Sequence, residues 1–490
     1  MDTGLLQGFA GALNPATLLY CFVGVLLGTV VGVLPGLGPA ATMAMLLPVT
    51  AFLEPAEAIV MLAGIYYGAM YGGSTTSILV SVPGEASSVV TCLDGFEMTK
   101  QGRAGEALAV AAIGSFVAAT AGIILLSVAA PPLADMALAF GPPEYFGLVL
   151  FSFTALVSLS GRSLLMGVIV GLLGMLLASA GIDPMSGRQR LAFGSVEMMR
   201  GFDIVPVFMG LFGISEVLIS AQAGIASVYK GSLGRFIPQG EELRKAAVAT
   251  LRGTGLGLAL GLLPGMVPAV VTFLCYDVEK RVSKYPERFG KGCIEGVASP
   301  EAGNNAVAVA GFVPLMALGI PTTPTLAILL AAFMIYGLQP GPLLFMKNPD
   351  LAWTIIASMY IGNVALVVLN LPLVGLWARL ALIPYRFVGP FILGVCFVGA
   401  YSVRNSMFDV WSCVLFGLVG YAMRSRNWPT APMVLGFILG PMLEKFLRGS
   451  LQMSAGGLDI FFTRPICLVF LVLTACFLVM SRRFSSSVSE

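Results

Sequence analysis

Apolar runs separated by short polar loops occupy nearly the whole chain. In the first half they fall at 15–34, 40–53, 58–82, 106–130, 144–160, 163–181 and 204–222. In the second half they fall at 246–263, 268–275, 302–320, 323–337, 351–373, 387–402, 407–423, 430–443 and 465–481. One bilayer-crossing helix needs about 20 such residues. Of 490 residues, 57% are hydrophobic and 11% charged, against roughly 25% charged in a soluble protein. The expected fold is an all-α polytopic membrane protein of roughly 10–14 membrane segments. Continuous runs, instead of strict alternation, argue against an outer-membrane barrel.

Several chemistries drop out. With no histidine there is no His base, His metal ligand or His pH sensor. No Walker phosphate loop is present, so transport would need an energy source other than a resident ATPase. No basic block suggests nucleic acid. The eight cysteines form no CxxC pair and read as small buried hydrophobes. The first 99 residues lack Lys and Arg, so no basic n-region of a cleavable signal peptide is expected.

An internal repeat organises the chain. Gly32-Val33-Leu34-Pro35-Gly36-Leu37-Gly38-Pro39-Ala40 recurs as Gly261-Leu262-Leu263-Pro264-Gly265-Met266-Val267-Pro268-Ala269, an offset of 229. Gly72-Gly73-Ser74-Thr75-Thr76 lies opposite Ala302-Gly303-Asn304-Asn305-Ala306, offset 230. Val82-Pro83-Gly84-Glu85 lies opposite Ile320-Pro321-Thr322-Thr323, offset 238. The expected division is a first transmembrane repeat over 1–222, a cytoplasmic linker over 223–245, a second repeat over 246–450, and an extra C-terminal helix and tail over 451–490.

Cytoplasmic loops are enriched in Lys and Arg. Residues 1–14 and 54–57, which flank the first Pro-Gly element, contain neither. Lys230, Arg235, Arg244 and Lys245 precede the second element, and Lys280, Arg281, Lys284, Arg288 and Lys291 follow it. Corresponding elements then begin on opposite sides of the membrane, as expected of inverted-topology repeats. Shared flanks make each Pro-Gly element the tip of a re-entrant hairpin; a single broken helix at each place is the alternative. Counting spans from an outside N-terminus puts 84–105 inside. It puts 183–203 outside despite Arg188, Arg190 and Arg200, which departs from the rule. Docking of a partner or attraction of anions would account for those arginines.

Helix breaks within a membrane expose carbonyls and N–H groups that protein or a cavity must satisfy. Such carbonyls can hold Na⁺, and helix starts can hold carboxylates. Gly36, Gly38 and Gly265 at the tips are therefore candidates, against a plain kink between packed helices. Ser74, Thr75 and Thr76 supply hydroxyls, and Asn304 and Asn305 supply amides. The competing role is interhelical packing with hydroxyls bonded to their own backbone. Pro83, Gly84, Pro321, Thr322 and Thr323 end the same segments. Thr322, Thr323, Ser87 and Ser88 could cap the following helices, and a capped helix start facing a cavity is an anion site. Na⁺ is expected near Gly36, Ser74, Gly265 and Asn304. Glu216, inside an apolar run, is either a functional acid or bonded to a neighbouring helix. Glu301 is either part of a cation or proton site or a loop-end cap. Arg162 and Arg379 read as interfacial snorkelling residues.

The run Tyr66-Tyr67-Gly68-Ala69-Met70-Tyr71-Gly72-Gly73-Ser74-Thr75-Thr76-Ser77-Ile78-Leu79, the first Pro-Gly element, and the block from Glu279-Lys280-Arg281 through Pro286-Glu287-Arg288-Phe289-Gly290 to Ser299-Pro300-Glu301-Ala302-Gly303-Asn304-Asn305-Ala306 together resemble the large membrane subunit of the tripartite tricarboxylate transporter family. The resemblance spans about residues 15 to 450. It implies a cation-coupled, usually Na⁺-driven, multi-pass carboxylate transporter of a bacterial inner membrane, with no cofactor beyond the coupling ion. It implies two partners, a periplasmic solute-binding protein and a small membrane subunit; a homodimer is a further expectation. It carries the site onto Gly36, Gly38, Ser74, Thr75, Thr76, Gly265, Asn304 and Asn305. Val267 stands where the first element has Gly38, a departure that makes close backbone approach harder at the second tip. A channel or receptor-like membrane protein is the other reading, and an enzyme is not expected.

Overall fold

The computed structural model describes residues 2–34, 37–159, 164–221, 234–380 and 385–487. The first half contains α1 (Asp2–Ala12), α2 (Pro15–Val33), α3 (Pro39–Thr50), α4 (Pro55–Val80), α5 (Thr91–Lys100), α6 (Ala104–Ala137), α7 (Pro142–Leu159) and α8 (Leu164–Ala178). A two-stranded hairpin follows, β1 (Gly181–Ile182) against β2 (Gln189–Arg190), then α9 (Val196–Met199), α10 (Ile204–Phe208) and α11 (Ser215–Ser220). The second half contains α12 (Glu241–Gly261), α13 (Pro268–Val282), α14 (Glu295–Ala310), α15 (Phe312–Leu318), α16 (Pro324–Ile335), α17 (Pro342–Lys347) and α18 (Pro349–Asn370). It closes with α19 (Val374–Leu380), α20 (Tyr385–Arg404), α21 (Met407–Ser425), α22 (Ala431–Met453), α23 (Ile460–Thr463) and α24 (Pro465–Ser487). The first described helix of the second half begins at Glu241, inside the segment read as a linker.

The architecture is all-α, as expected of a polytopic membrane protein. Five of the described helices are long and apolar enough to cross a membrane: Pro15–Val33, Ala104–Ala137, Pro349–Asn370, Phe387–Arg404 and Met407–Ser425. α3 and α16 are apolar but 12 residues long. At 1.5 Å per residue each rises only about 18 Å, short of a hydrocarbon core about 30 Å thick. Proline sets several of these starts. Pro39, Pro268 and Pro324 each occupy the first turn, where the missing N–H costs nothing and φ suits a helix.

Two helices sit deepest. Every residue of α4 from Ala58 to Val80 is buried, as is every residue of α14 from Gly296 to Ala310. These are also the helices that carry Ser74–Thr76 and Asn304–Asn305. The polar elements therefore lie at the centre, and helices such as α20 and α21 lie outside, more exposed.

Glycine seams bring each deep helix against its neighbour. An added Cβ at Gly24, Gly28 or Gly32 of α2 would lie 2.4–2.6 Å from a backbone oxygen of α4. On α12, Gly253, Gly257 and Gly261 meet α14 backbone at 2.1, 2.6 and 2.9 Å. Small residues spaced by four permit such close helix packing in membranes. These two glycine triplets are themselves 229 residues apart, the offset of the Pro-Gly elements.

Candidate functional site

Each deep segment ends in a left-handed residue followed by an extended break. α4 is terminated by Ser81 at φ 56°. α15 is terminated by Gly319 at φ 74°. After the first break Glu85 caps the short 3₁₀ turn Ala86–Val89, its side chain accepting from the Ser87 N–H. After the second, Thr323 caps α16, its hydroxyl accepting from the Leu326 N–H at 3.2 Å. Ser81 and Gly319 are 238 residues apart, as are Glu85 and Thr323. The capping expected of Thr323 is realised. At the first break Glu85 takes the N-cap role, while the Ser88 hydroxyl accepts from the Glu85 N–H.

The second Pro-Gly tip touches the second break, and the end of α2 touches the first. Gly265 adopts φ 88°, a conformation glycine enters without a Cβ clash, and its N–H donates to the Thr322 carbonyl at 3.1 Å. On the other side a Cβ at Gly84 would lie 1.8 Å from the Gly32 carbonyl, so Gly84, next to Pro83, permits the close approach of α2 to the first break. Gly36, with Pro35, lies outside the described residues, as do Arg162 and Lys230. Gly38 and Val267 have the same extended conformation, φ −77° and −69°. Neither position demands glycine for its backbone, so Val267 is accommodated. A Cβ at Gly38 would find no atom within 4 Å.

Glu301 is the centre of the polar cluster. It lies within α14 and is 1% exposed. One carboxylate oxygen accepts the Ser74 hydroxyl and the other accepts the Thr91 hydroxyl. Among the described residues neither Glu301 nor Glu85 has an ion pair. Asn305 donates to the Ser115 hydroxyl at 2.7 Å and to the Glu301 carbonyl at 3.1 Å, and its own oxygen has no partner. Asn304 is fully buried, and neither its oxygen nor its nitrogen is hydrogen-bonded. An orphaned buried polar group costs about 1–3 kcal/mol, so Asn304 is held unsatisfied by the packing around it.

The hydroxyl cluster divides by role. Ser74 reaches Glu301, while Thr76 and Ser77 bond back to the Gly73 carbonyl at 3.2 and 3.0 Å. Thr75 lines a cavity of about 10 Å³ with Tyr71, Ser74, Ser115 and Asn370. That is close to the smallest space that holds one water. Asn363 of α18 accepts from Tyr71 at 2.7 Å and donates to Thr120 of α6 at 2.9 Å. Glu301 was visible in the sequence as an acid beside the Asn pair. Thr91 and Ser115 carried no signal, because only their tertiary partners distinguish them from other membrane hydroxyls.

The remaining charges serve the frame. Glu216 pairs with Arg424 of α21 and accepts from Ser220 at 3.0 Å, the bonded alternative of the two. Asp94 of α5 is buried and accepts from the N–H groups of Gly290, Gly292 and Cys293 and from the Tyr276 hydroxyl. Arg103 and Arg235 share Glu106. The polar stretches 84–105, 223–245 and 276–300 thus meet through Asp94 and Glu106. In the other loop Arg190 forks onto Glu444 at 2.8 and 2.9 Å and Arg448 pairs with Asp183. The Ser186 hydroxyl and Arg448 hold the Asp183 carboxyl below the usual range, and Arg190 does the same for Glu444. Arg190 therefore fastens the hairpin to α22, whereas Arg188, Arg200 and Arg379 are exposed.

Discontinuous helices around a buried polar centre in a polytopic helical protein are an architecture shared by many secondary transporters. The chain belongs to the tripartite tricarboxylate transporter TctA family, whose family model matches residues 18–435. It is similar to the "Uncharacterized 52.8 kDa protein in TAR-I ttuC' 3'region" of Agrobacterium vitis, 45% identical over 95% of this chain and 93% of the relative. It is also similar to the "Uncharacterized protein in TAR-II ttuC' 3'region" of Agrobacterium vitis, 47% identical over 40% of this chain and 81% of that relative. No solved structure matches the chain.

Proposed function

We propose that this chain is the large permease subunit of a binding-protein-dependent uptake system for tri- or dicarboxylates in a bacterial inner membrane, driven by a cation, Na⁺, through alternating access. The family membership supports the substrate class. The observation that carries the coupled mechanism is the buried Glu301, which has hydroxyl partners but no ion pair among the described residues. Two oppositely oriented repeats related by offsets of 229 to 238 residues would allow the same contacts to form and break on either side. The oxygen donors at hand fit a hard cation: the Glu301 carboxylate, the Ser74 and Thr91 hydroxyls and the orphaned Asn304 amide. A bound Na⁺ would supply positive charge. The chain's own groups orient the substrate through helix starts at Thr323 and Gly38 and exclude water by the close packing of α4 and α14.

A periplasmic binding protein and a small membrane subunit complete this reading. Uptake into proteoliposomes that contain the permease subunits and the binding protein should collapse when the Na⁺ gradient is dissipated. Undiminished flux would favour a channel. Three crossings after the basic side, 183–203 would face the binding protein. Arg188→Glu with Arg200→Glu should raise the binding-protein concentration needed for half-maximal uptake several-fold. An unchanged concentration dependence would remove that loop from the docking surface.

A further inference from the structure

One acidic side chain stands at the first break and another in the deep helix α14, both beside the Gly73–Ser74 turn of α4. Glu85 is partly buried and accepts the Ser87 N–H and hydroxyl. Glu301 is buried and bonded to Ser74, and at the adjacent Gly73 an added Cβ would lie 3.4 Å from the Glu85 side chain, so both carboxyls border the same turn of α4. Hydroxyls satisfy one site on each Glu301 oxygen, and an ionised carboxylate offers about four. No Lys or Arg pairs with either acid among the described residues. A buried charge without a partner is costly unless a counter-charge joins it. Asn304 stands three residues after Glu301 on one helix, so the two side chains are neighbours. Its oxygen and nitrogen are both unpartnered at 0% exposure. A proton on Glu301 would remove the charge and leave Asn304 as it is. A metal cation accepts the carboxylate, the hydroxyl oxygens and the amide oxygen together, and hard oxygens without nitrogen or sulfur suit Na⁺.

We infer that Glu301, Asn304, Ser74 and Thr91 form a sodium site beside Glu85, and that its occupancy is the electrostatic condition for admitting an anionic substrate. The inference rests on the carboxylate-uptake reading above. Without the ion, two carboxylates face the incoming carboxylate and repel it. With it, the local charge falls and the positive helix starts prevail. Coupling then needs no contact between substrate and ion, because each binds better in the field of the other.

The test uses the purified complex of the large and small subunits and Na⁺ alone. Wild type should show a rise in Tm on titrating NaCl against choline chloride at constant ionic strength. Glu301→Gln should lose that rise, and its residual uptake should no longer respond to Na⁺. Glu301→Asp keeps the charge on a shorter arm and should need about tenfold more Na⁺ for the same shift, which covers the case in which the glutamine variant fails to fold. A wild-type-sized Na⁺ shift in Glu301→Gln, or none in wild type, overturns the site. If the shift behaves as expected but wild-type uptake ignores Na⁺, the site stands and the coupled-transport reading fails.

Discussion

Asn304→Ala should lower Na⁺-driven uptake by about tenfold or more, equivalent to about 1.4 kcal/mol, without loss of stability. The two expectations come from one observation. Asn304 is fully buried and neither amide atom has a partner. Its removal discards an unsatisfied group that costs about 1–3 kcal/mol, so thermal unfolding in detergent should occur at the same or a higher temperature. A residue that destabilises the resting protein yet is required for uptake is one held in place for a ligand. Thr75→Ala, which removes a cavity-lining hydroxyl, should give a smaller loss. Wild-type uptake by Asn304→Ala at its ordinary Na⁺ dependence would place the site elsewhere.

The second large effect is structural. Asp94→Ala should destabilise the protein by more than about 3 kcal/mol, because three backbone N–H groups and the Tyr276 hydroxyl lose their acceptor together. The loss should concentrate in the loop before α14. Lys284 and Arg288 there are already exposed, so trypsin should cleave the variant faster at those positions than wild type, before global unfolding. Asp94→Asn keeps one acceptor oxygen and should fall between the two. An unaltered cleavage rate in Asp94→Ala would show that the loop is held by other contacts.

Much of the frame is legible in the amino-acid sequence. Apolar runs report helices because the bilayer offers no alternative partner for backbone groups. The Pro-Gly and Val-Pro or Ile-Pro motifs report breaks because proline removes a donor and stops a helix. The repeat could be followed further in space than in sequence. Gly24, Gly28 and Gly32 correspond to Gly253, Gly257 and Gly261, but single glycines in an apolar helix are too common to read without knowing what they touch. Glu216 shows the opposite case. An acid in an apolar run reads as functional by default, and Arg424, from 208 residues away, turns it into a helix-to-helix tie.

The sequence by itself determined an all-helical membrane protein, the positions of its interruptions, and an unusual pair of deep polar segments. These are local properties of composition and backbone chemistry. The tertiary structure decided which polar groups form a centre. Glu301 meets Ser74 across 227 residues and Thr91 across 210, and Asn304 is left without a partner among its neighbours. Hydroxyls, amides and carboxylates become a site only when packing fixes their distances and removes the water that would otherwise satisfy each of them alone.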